Sequence, residues 1–230
     1  MLAQALQRVT QRLAAAAHDA GRRPPRLLAV SKTQPAAAVA ELAAAGQRAF
    51  GENYVQEALA KRVALAQVPG LEWHLIGHLQ SNKAREAAAA FDWVQTVDRA
   101  KLVDALARYR PDAMAPLNVL IQVNIDDEAS KHGCAPDAID RLANAIAAQP
   151  RLRLRGLMAI PAPHPDPAPR HASFARMRSL FEAVSARGPG VDTLSMGMSD
   201  DLEAAIAEGA TLVRIGSALF GARQARNAGE

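Results

Sequence analysis

The chain is poor in the residues that would place it in several large functional classes. A single cysteine, Cys134, among 230 residues excludes an intramolecular disulfide and suits a reducing compartment. Aromatic residues amount to 4%, and the 27 lysines and arginines are scattered along the chain. Nucleic-acid binders gather positive charge on one face and interleave it with aromatics. The net charge of +4 and pI near 9.6 therefore imply weak attraction to anions such as phosphate esters, and no nucleic-acid partner is expected. No run is long and apolar enough to span a membrane. The opening "MLAQALQRVTQRLAAAA" is a helix interrupted by Gln and Arg, without the apolar region and cleavage site of a signal peptide. A cytoplasmic protein with no membrane partner is expected. No heptad pattern argues for an oligomer, so a monomer is the default.

Half of the residues are hydrophobic and 22% are charged, an ordinary balance for a chain that buries a sizeable core. Short Val, Ile and Leu-rich runs recur at "RLLAVS", "RAFG", "EWHLIG", "FDWVQTV", "LNVLIQVN", "RLRGLMAI", "DTLSMGM" and "TLVRIG", each strand-length and bounded by polar, Gly or Pro positions. Alanine-rich helical stretches alternate with them near 35–46, 53–67, 81–90, 99–109, 135–148, 170–187 and 200–208. In "PAAAVAELAAAG", Pro35 suits a first helical position and Gly46 a left-handed stop. Alternation of this kind implies parallel strands with helical crossovers. Eight repeats imply one closed (β/α)8 barrel, an α/β TIM-like fold with an extra N-terminal helix, as a single domain over 1–230 with the barrel proper at about 26–222. An open doubly wound sheet is the rival, but "VSKTQP" lacks the glycine fingerprint expected after its first strand.

Two stretches break the pattern. In "IPAPHPDPAP" five prolines alternate from Pro161 to Pro169, which reads as a stiff extended loop after the sixth strand, a surface connector in preference to a lid. In "RLRLRG", Arg151, Arg153 and Arg155 alternate with leucines and read as the solvated start of a strand.

In such barrels chemistry collects where strands end. Lys32, Asn53, His78, Asn124, Ser195, Ser199, Gly216 and Ser217 all fall there. Loops after the seventh and eighth strands are the usual phosphate site, and "SMGMSDD" and "RIGSALFG" stand in those two places. Ser199 is either a helix cap or a phosphate ligand. Arg214, a charge within an apolar strand, needs a salt bridge or a ligand nitrogen. Lys32 ends the first strand either as an ordinary charge or as an amine whose neutral form makes a Schiff base. A phosphate cup, a lysine and an arginine between them describe a pocket for pyridoxal 5′-phosphate (PLP). A cofactor-free Schiff-base aldolase acting on a sugar phosphate is the alternative.

His74 and His78 are four apart, but in a strand that separates them by roughly 13 Å, so zinc and other metals are not expected. Cys134 reads as a small loop residue; His132, His164 and His171 read as solvated.

The chain resembles the pyridoxal phosphate homeostasis protein family, whose barrel is similar to the N-terminal domain of alanine racemase. The resemblance runs to about residue 224 and rests on "AVSKTQP", "FGENYVQE", "WHLIGHLQSNK", "VNIDDEASKHG", "GLMAIP", "LSMGMSDDLEAAI" and "VRIGSALFG". It implies that Lys32 carries PLP as an aldimine and that Arg214 faces the pyridine nitrogen. Asn53 then stands beside the cofactor, Ser195, Ser199, Gly216 and Ser217 surround its phosphate, and Met196 joins the cofactor site. It further implies vitamin B6 homeostasis and PLP delivery, with PLP-dependent apo-enzymes as recipients and no catalytic residue. An arginine at the ring nitrogen weakens the electron sink of carbanion chemistry, and no second domain supplying a base is expected. A small two-base racemase is the runner-up.

Overall fold

The eight apolar runs form eight strands: β1 (Arg26–Val30), β2 (Ala49–Glu52), β3 (Glu72–Leu75), β4 (Trp93–Val97), β5 (Leu117–Val123), β6 (Leu152–Ala159), β7 (Thr193–Ser195) and β8 (Leu212–Ile215). In the computed structural model, which describes residues 1–128, 131–162, 164, 166–188 and 190–221, all pairings are parallel and the order β1 to β8 closes on itself. Closure is made by β1 and β8, with Leu28 opposite Arg214 and Ala29 opposite Ile215. This is a (β/α)8 barrel, and the open-sheet rival is excluded. Residue 222 lies outside the described residues.

Helices α1 (Leu2–Asp19), α2 (Ala36–Ala44), α3 (Val55–Ala64), α4 (Ala84–Ala90), α5 (Ala100–Tyr109), α6 (Ile139–Ala147), α7 (Pro167–Ser185) and α8 (Leu202–Ala207) surround the strands, and the four-residue α9 (Ser217–Phe220) follows β8. Pro35 stands just before the first residue of α2, and Gly46 beyond its end takes φ 103°. The N-terminal helix buries Leu6, Val9, Leu13 and Ala17, one stripe at helical spacing, and packs on α2, α8 and α9. No helix of the described residues is long and apolar enough to cross a membrane.

Two sequence expectations change. The proline-rich stretch is not loop throughout: α7 begins at Pro167, and Asp166 caps it by accepting the Ala168 N–H at 3.0 Å. Proline is tolerated in a first helical turn, where its missing N–H has no partner to lose. Pro163 and Pro165 lie outside the described residues, as do Ala129 and Ser130 of "VNIDDEASKHG". Arg155 is not simply solvated. Its guanidinium lies 4.7 Å above the Trp93 ring and bonds Asp192 at 2.6 Å, while Arg153 is exposed and Arg151 pairs with Asp112.

Alternation along each strand divides the buried residues into two sets. Leu75, Val94, Val119, Leu157, Leu194, Val213 and Ile215 belong to the large core that includes the helices, each fully buried side chain contributing about 1.5–3 kcal/mol. Smaller clusters, Leu28–Ala49–Leu212 and Trp93–Leu120–Met158, stand apart from it. The strands also bury an unusual set of polar groups: Glu52, His74, Gln95, Thr96, Gln122, Thr193, Ser195 and Arg214.

Candidate functional site

The turn after β1 presents Lys32. Ser31 is fully buried, its N–H bonded to Gly51 O at 3.0 Å, and the Gln34 N–H closes back on Ser31 O at 3.0 Å. Thr33 takes φ 64°, a left-handed conformation uncommon for a β-branched residue, and its N–H donates to Glu57 Oε1 at 2.5 Å. Behind the turn, Lys61 Nζ donates to Ser31 O at 2.6 Å, to Glu52 Oε1 at 2.7 Å and to Glu57 Oε1 at 2.7 Å. An ammonium has three protons, and all are placed. Glu52 Oε1 also accepts from the Ser31 hydroxyl at 2.5 Å. Burial pushes the Glu52 carboxyl above its ordinary range, with hydrogen bonds from Lys61 and Ser31 pulling the other way.

A cavity of about 350 Å³ opens at the C-terminal mouth of the barrel, lined by Lys32, Asn53, Ser199, Arg214, Gly216 and Ser217 together with the apolar Val30, Ile76, Ile160 and Phe220. Its size and its few polar groups on an apolar wall are those of a small-molecule site.

Arg214 is 4% exposed. Burial lowers its guanidinium to about 10, the Asp201 charge working against that. Nη1 donates to Ser195 Oγ at 2.7 Å and Nη2 to Ala159 O at 2.8 Å, so the group is tied from two sides where it meets the cavity.

Across the mouth, Ser217 Oγ donates to Ser199 Oγ at 3.1 Å, bringing the loops after β7 and β8 together. The Ser199 loop is itself fastened. Asp201 Oδ1 accepts the Met198 N–H at 2.6 Å, and Arg12 of α1 donates to Ser199 O at 2.9 Å while gripping Glu203 through two bonds of 2.6 and 2.8 Å. Ser199 is therefore not the helix cap, since α8 starts after Asp201. Gly197 allows the loop's course: it has φ 92°, and a Cβ there would sit 2.6 Å from Ala205 Cβ. Gly77 does the same for Asn53, whose carbonyl oxygen would be 2.2 Å from a Cβ at that position.

Six of the eight expected residues thus line one cavity. Ser195 is fully buried and bonds Arg214. Met196 is also fully buried, within the core that includes the helices, and its N–H is spent on Leu212 O at 3.2 Å. Met196 follows the last residue of β7, and its side chain packs in that core while the Ser195 hydroxyl meets Arg214, so the two side chains take opposite sides.

The other candidates take other roles. His78 lines a neighbouring recess of about 480 Å³ that shares Asn53; its ring stacks at 3.8 Å on His132, which is itself exposed, as its solvated reading expects. Asn124 folds its own loop, donating to Glu128 O at 2.9 Å and accepting the Glu128 N–H at 3.2 Å. Cys134 is buried, and burial pushes its thiol up to about 11. The support residues Glu52 and Lys61 escaped the sequence reading; their signal was a lysine four residues after Glu57 on a helix face, next to "FGE".

The family model described as "Alanine racemase, N-terminal domain" matches residues 4–224. The chain is similar to the pyridoxal phosphate homeostasis protein of Pseudomonas aeruginosa, 57% identical over 224 residues and 96% of each chain. Among solved structures it is similar to PipY of Synechococcus elongatus PCC7942. The PLP-free form gives 38% identity, a TM-score of 0.87, and coverage of 96% of this chain and 100% of that one. The form with PLP bound gives 37% identity, a TM-score of 0.83 and the same coverage.

Proposed function

The chain belongs to the pyridoxal phosphate homeostasis protein family, built on the alanine racemase N-terminal domain, and on that premise we propose that it binds PLP in the barrel mouth and serves the homeostasis of this cofactor. The observation that carries the reading is that Lys32, Arg214 and the Ser199–Ser217 pair line one cavity. The donor set suits the ligand. An amine for the aldehyde carbon, a permanent hydrogen-bond donor for an unprotonated ring nitrogen, and hydroxyls with Gly216 for a phosphate are the groups that PLP requires. The apolar wall of Ile76, Ile160 and Phe220 suits the ring faces.

Bound PLP supplies an electron sink for carbanions when its ring nitrogen is protonated; an arginine there donates its own N–H and leaves that nitrogen unprotonated. Besides Lys32, the titratable side chains on the cavity wall are Arg214 and the exposed Asp200. We therefore read the protein as a holder of PLP without turnover, whose recipients are PLP-dependent apo-enzymes. The single buried Cys134 suits the reducing cytoplasm, and we keep a monomer as the default state.

Absorbance titration with PLP, borohydride reduction and peptide mass spectrometry test the attachment. The expected label is on Lys32, and Lys32→Ala should lose the visible band while keeping its thermal transition. A label elsewhere removes Lys32 from the role. Steady loss of optical rotation from L-alanine would replace the holder with a racemase.

A further inference from the structure

A chain of hydrogen bonds runs down the inside of the barrel from the cavity to its opposite end. Arg214 Nη1 meets Ser195 Oγ at 2.7 Å, Ser195 Oγ meets Gln95 Oε1 at 2.7 Å, Gln95 Nε2 meets His74 Nδ1 at 2.9 Å, and His74 Nε2 meets Glu72 Oε1 at 2.6 Å. Arg26, at the start of β1, closes the chain on Glu72 Oε1 at 2.7 Å. Ser195, Gln95 and His74 are fully buried, and the imidazole is fixed in plane by stacking on Trp93 at 5.0 Å and 10°.

The ends of this chain determine its direction. A guanidinium can only donate and an ionised carboxylate can only accept. Ser195 must therefore accept from Arg214 and give its one proton to Gln95. The Gln95 carbonyl then faces Ser195 and its amide nitrogen donates to His74 Nδ1, which leaves the His74 proton on Nε2 toward Glu72. Burial lowers the His74 pKa below its ordinary value, against the pull of Glu72, which agrees with a neutral ring. Turning the Gln95 amide over would point two donors at Ser195 and leave its own proton without an acceptor, a buried mismatch costly enough to exclude.

We propose that Ser195, Gln95 and His74 are positioning residues that hold the Arg214 guanidinium toward the cofactor ring, with Glu72 as their fixed acceptor at the far end of the barrel. This rests on the reading of the cavity as a PLP site with Arg214 at the ring nitrogen. The hydroxyl of Ser195 then acts on Arg214 rather than on the phosphate.

The experiment compares wild type, Gln95→Met and Gln95→Glu, with two ligands: PLP and its 1-deaza analogue, which lacks the ring nitrogen. Gln95→Met removes the acceptor of Ser195. It should weaken PLP by about tenfold to a hundredfold, the range for a charge-assisted hydrogen bond, and leave the deaza analogue unchanged. Gln95→Glu keeps an acceptor for Ser195 and should retain the preference for PLP, while forcing a proton onto His74 Nδ1. Nitrogen-15 NMR of the ligand-free proteins reads that change directly, with Nε2–H alone expected in wild type. If Gln95→Met does not fold, Ser195→Ala replaces it with the same expectation. Equal losses for both ligands, no loss for either, or an Nδ1–H tautomer in wild type overturns the proposal. A wild type that shows no visible band with PLP overturns the site reading itself, and this inference with it.

Discussion

Lys61 Nζ lies 2.7 Å from Glu52 Oε1 with both side chains buried, and the same ammonium holds Ser31 O, so the turn that presents Lys32 is fixed by an ion pair that the cavity does not see. Breaking such a pair from one side leaves an uncompensated buried charge, at a cost of about 3–5 kcal/mol. Lys61→Met should lower unfolding stability by that amount in urea titration and slow the labelling of Lys32. The double variant Lys61→Met/Glu52→Gln should recover part of the loss.

Arg12 is a different kind of contact. Its pair with Glu203 is half exposed, so Arg12→Ala should cost under about 1 kcal/mol of stability. Because the same guanidinium holds Ser199 O, the variant should narrow the preference for PLP over unphosphorylated pyridoxal, measured by competition, several-fold more than it changes the affinity for pyridoxal.

Gly197→Ala should fold poorly. The position needs both φ 92° and room that Ala205 occupies, and strain with overpacking costs about 1–3 kcal/mol each. Thermal unfolding reads the loss, and an unchanged midpoint would show that the loop relaxes freely.

Glu72 sets an acid-side prediction. Burial raises its carboxyl, but the hydrogen bond from His74 and the charge and hydrogen bond of Arg26 outweigh it and lower the pKa to about 2. A depressed folded value contributes stability that is present above the unfolded value near 4.5 and is lost as pH falls toward 2. Glu72→Gln should therefore give a flatter stability curve between those limits, with the gap to wild type largest above pH 4.5.

Cys134, with its thiol pushed up to about 11, holds almost no thiolate at neutral pH. It should resist Ellman's reagent in the native protein and react at once in denaturant. Fast native labelling would contradict its burial.

Much of the fold was legible because each strand is a short apolar run closed by polar or Gly and Pro residues, and Pro35 and Gly46 bracket α2 where backbone chemistry demands. The cavity was legible because barrels of this kind expose strand ends, which brought Lys32, Asn53, Ser199, Arg214, Gly216 and Ser217 together. Alternation could have separated Ser195 from Met196, since neighbours on a strand never share a face. The chain from Arg214 to Glu72 was not legible. Each polar residue could be assigned an inward face, but which partner it meets depends on the registers of β3, β4, β7 and β8, and those follow from closure. The first turn of α7 was hidden by its prolines, which read as extended chain until Asp166 is seen capping it.

Closure of β1 on β8 also makes the cavity a joint product of distant parts of the chain. Lys32 follows β1, Arg214 lies in β8 and Ser217 just beyond it, yet all three line one cavity. With this seam unpaired, β1 has an open edge and Arg214 loses its place opposite Leu28. The pocket therefore forms only with the closed barrel: a partly folded chain whose seam is unsealed has no complete site to offer a ligand.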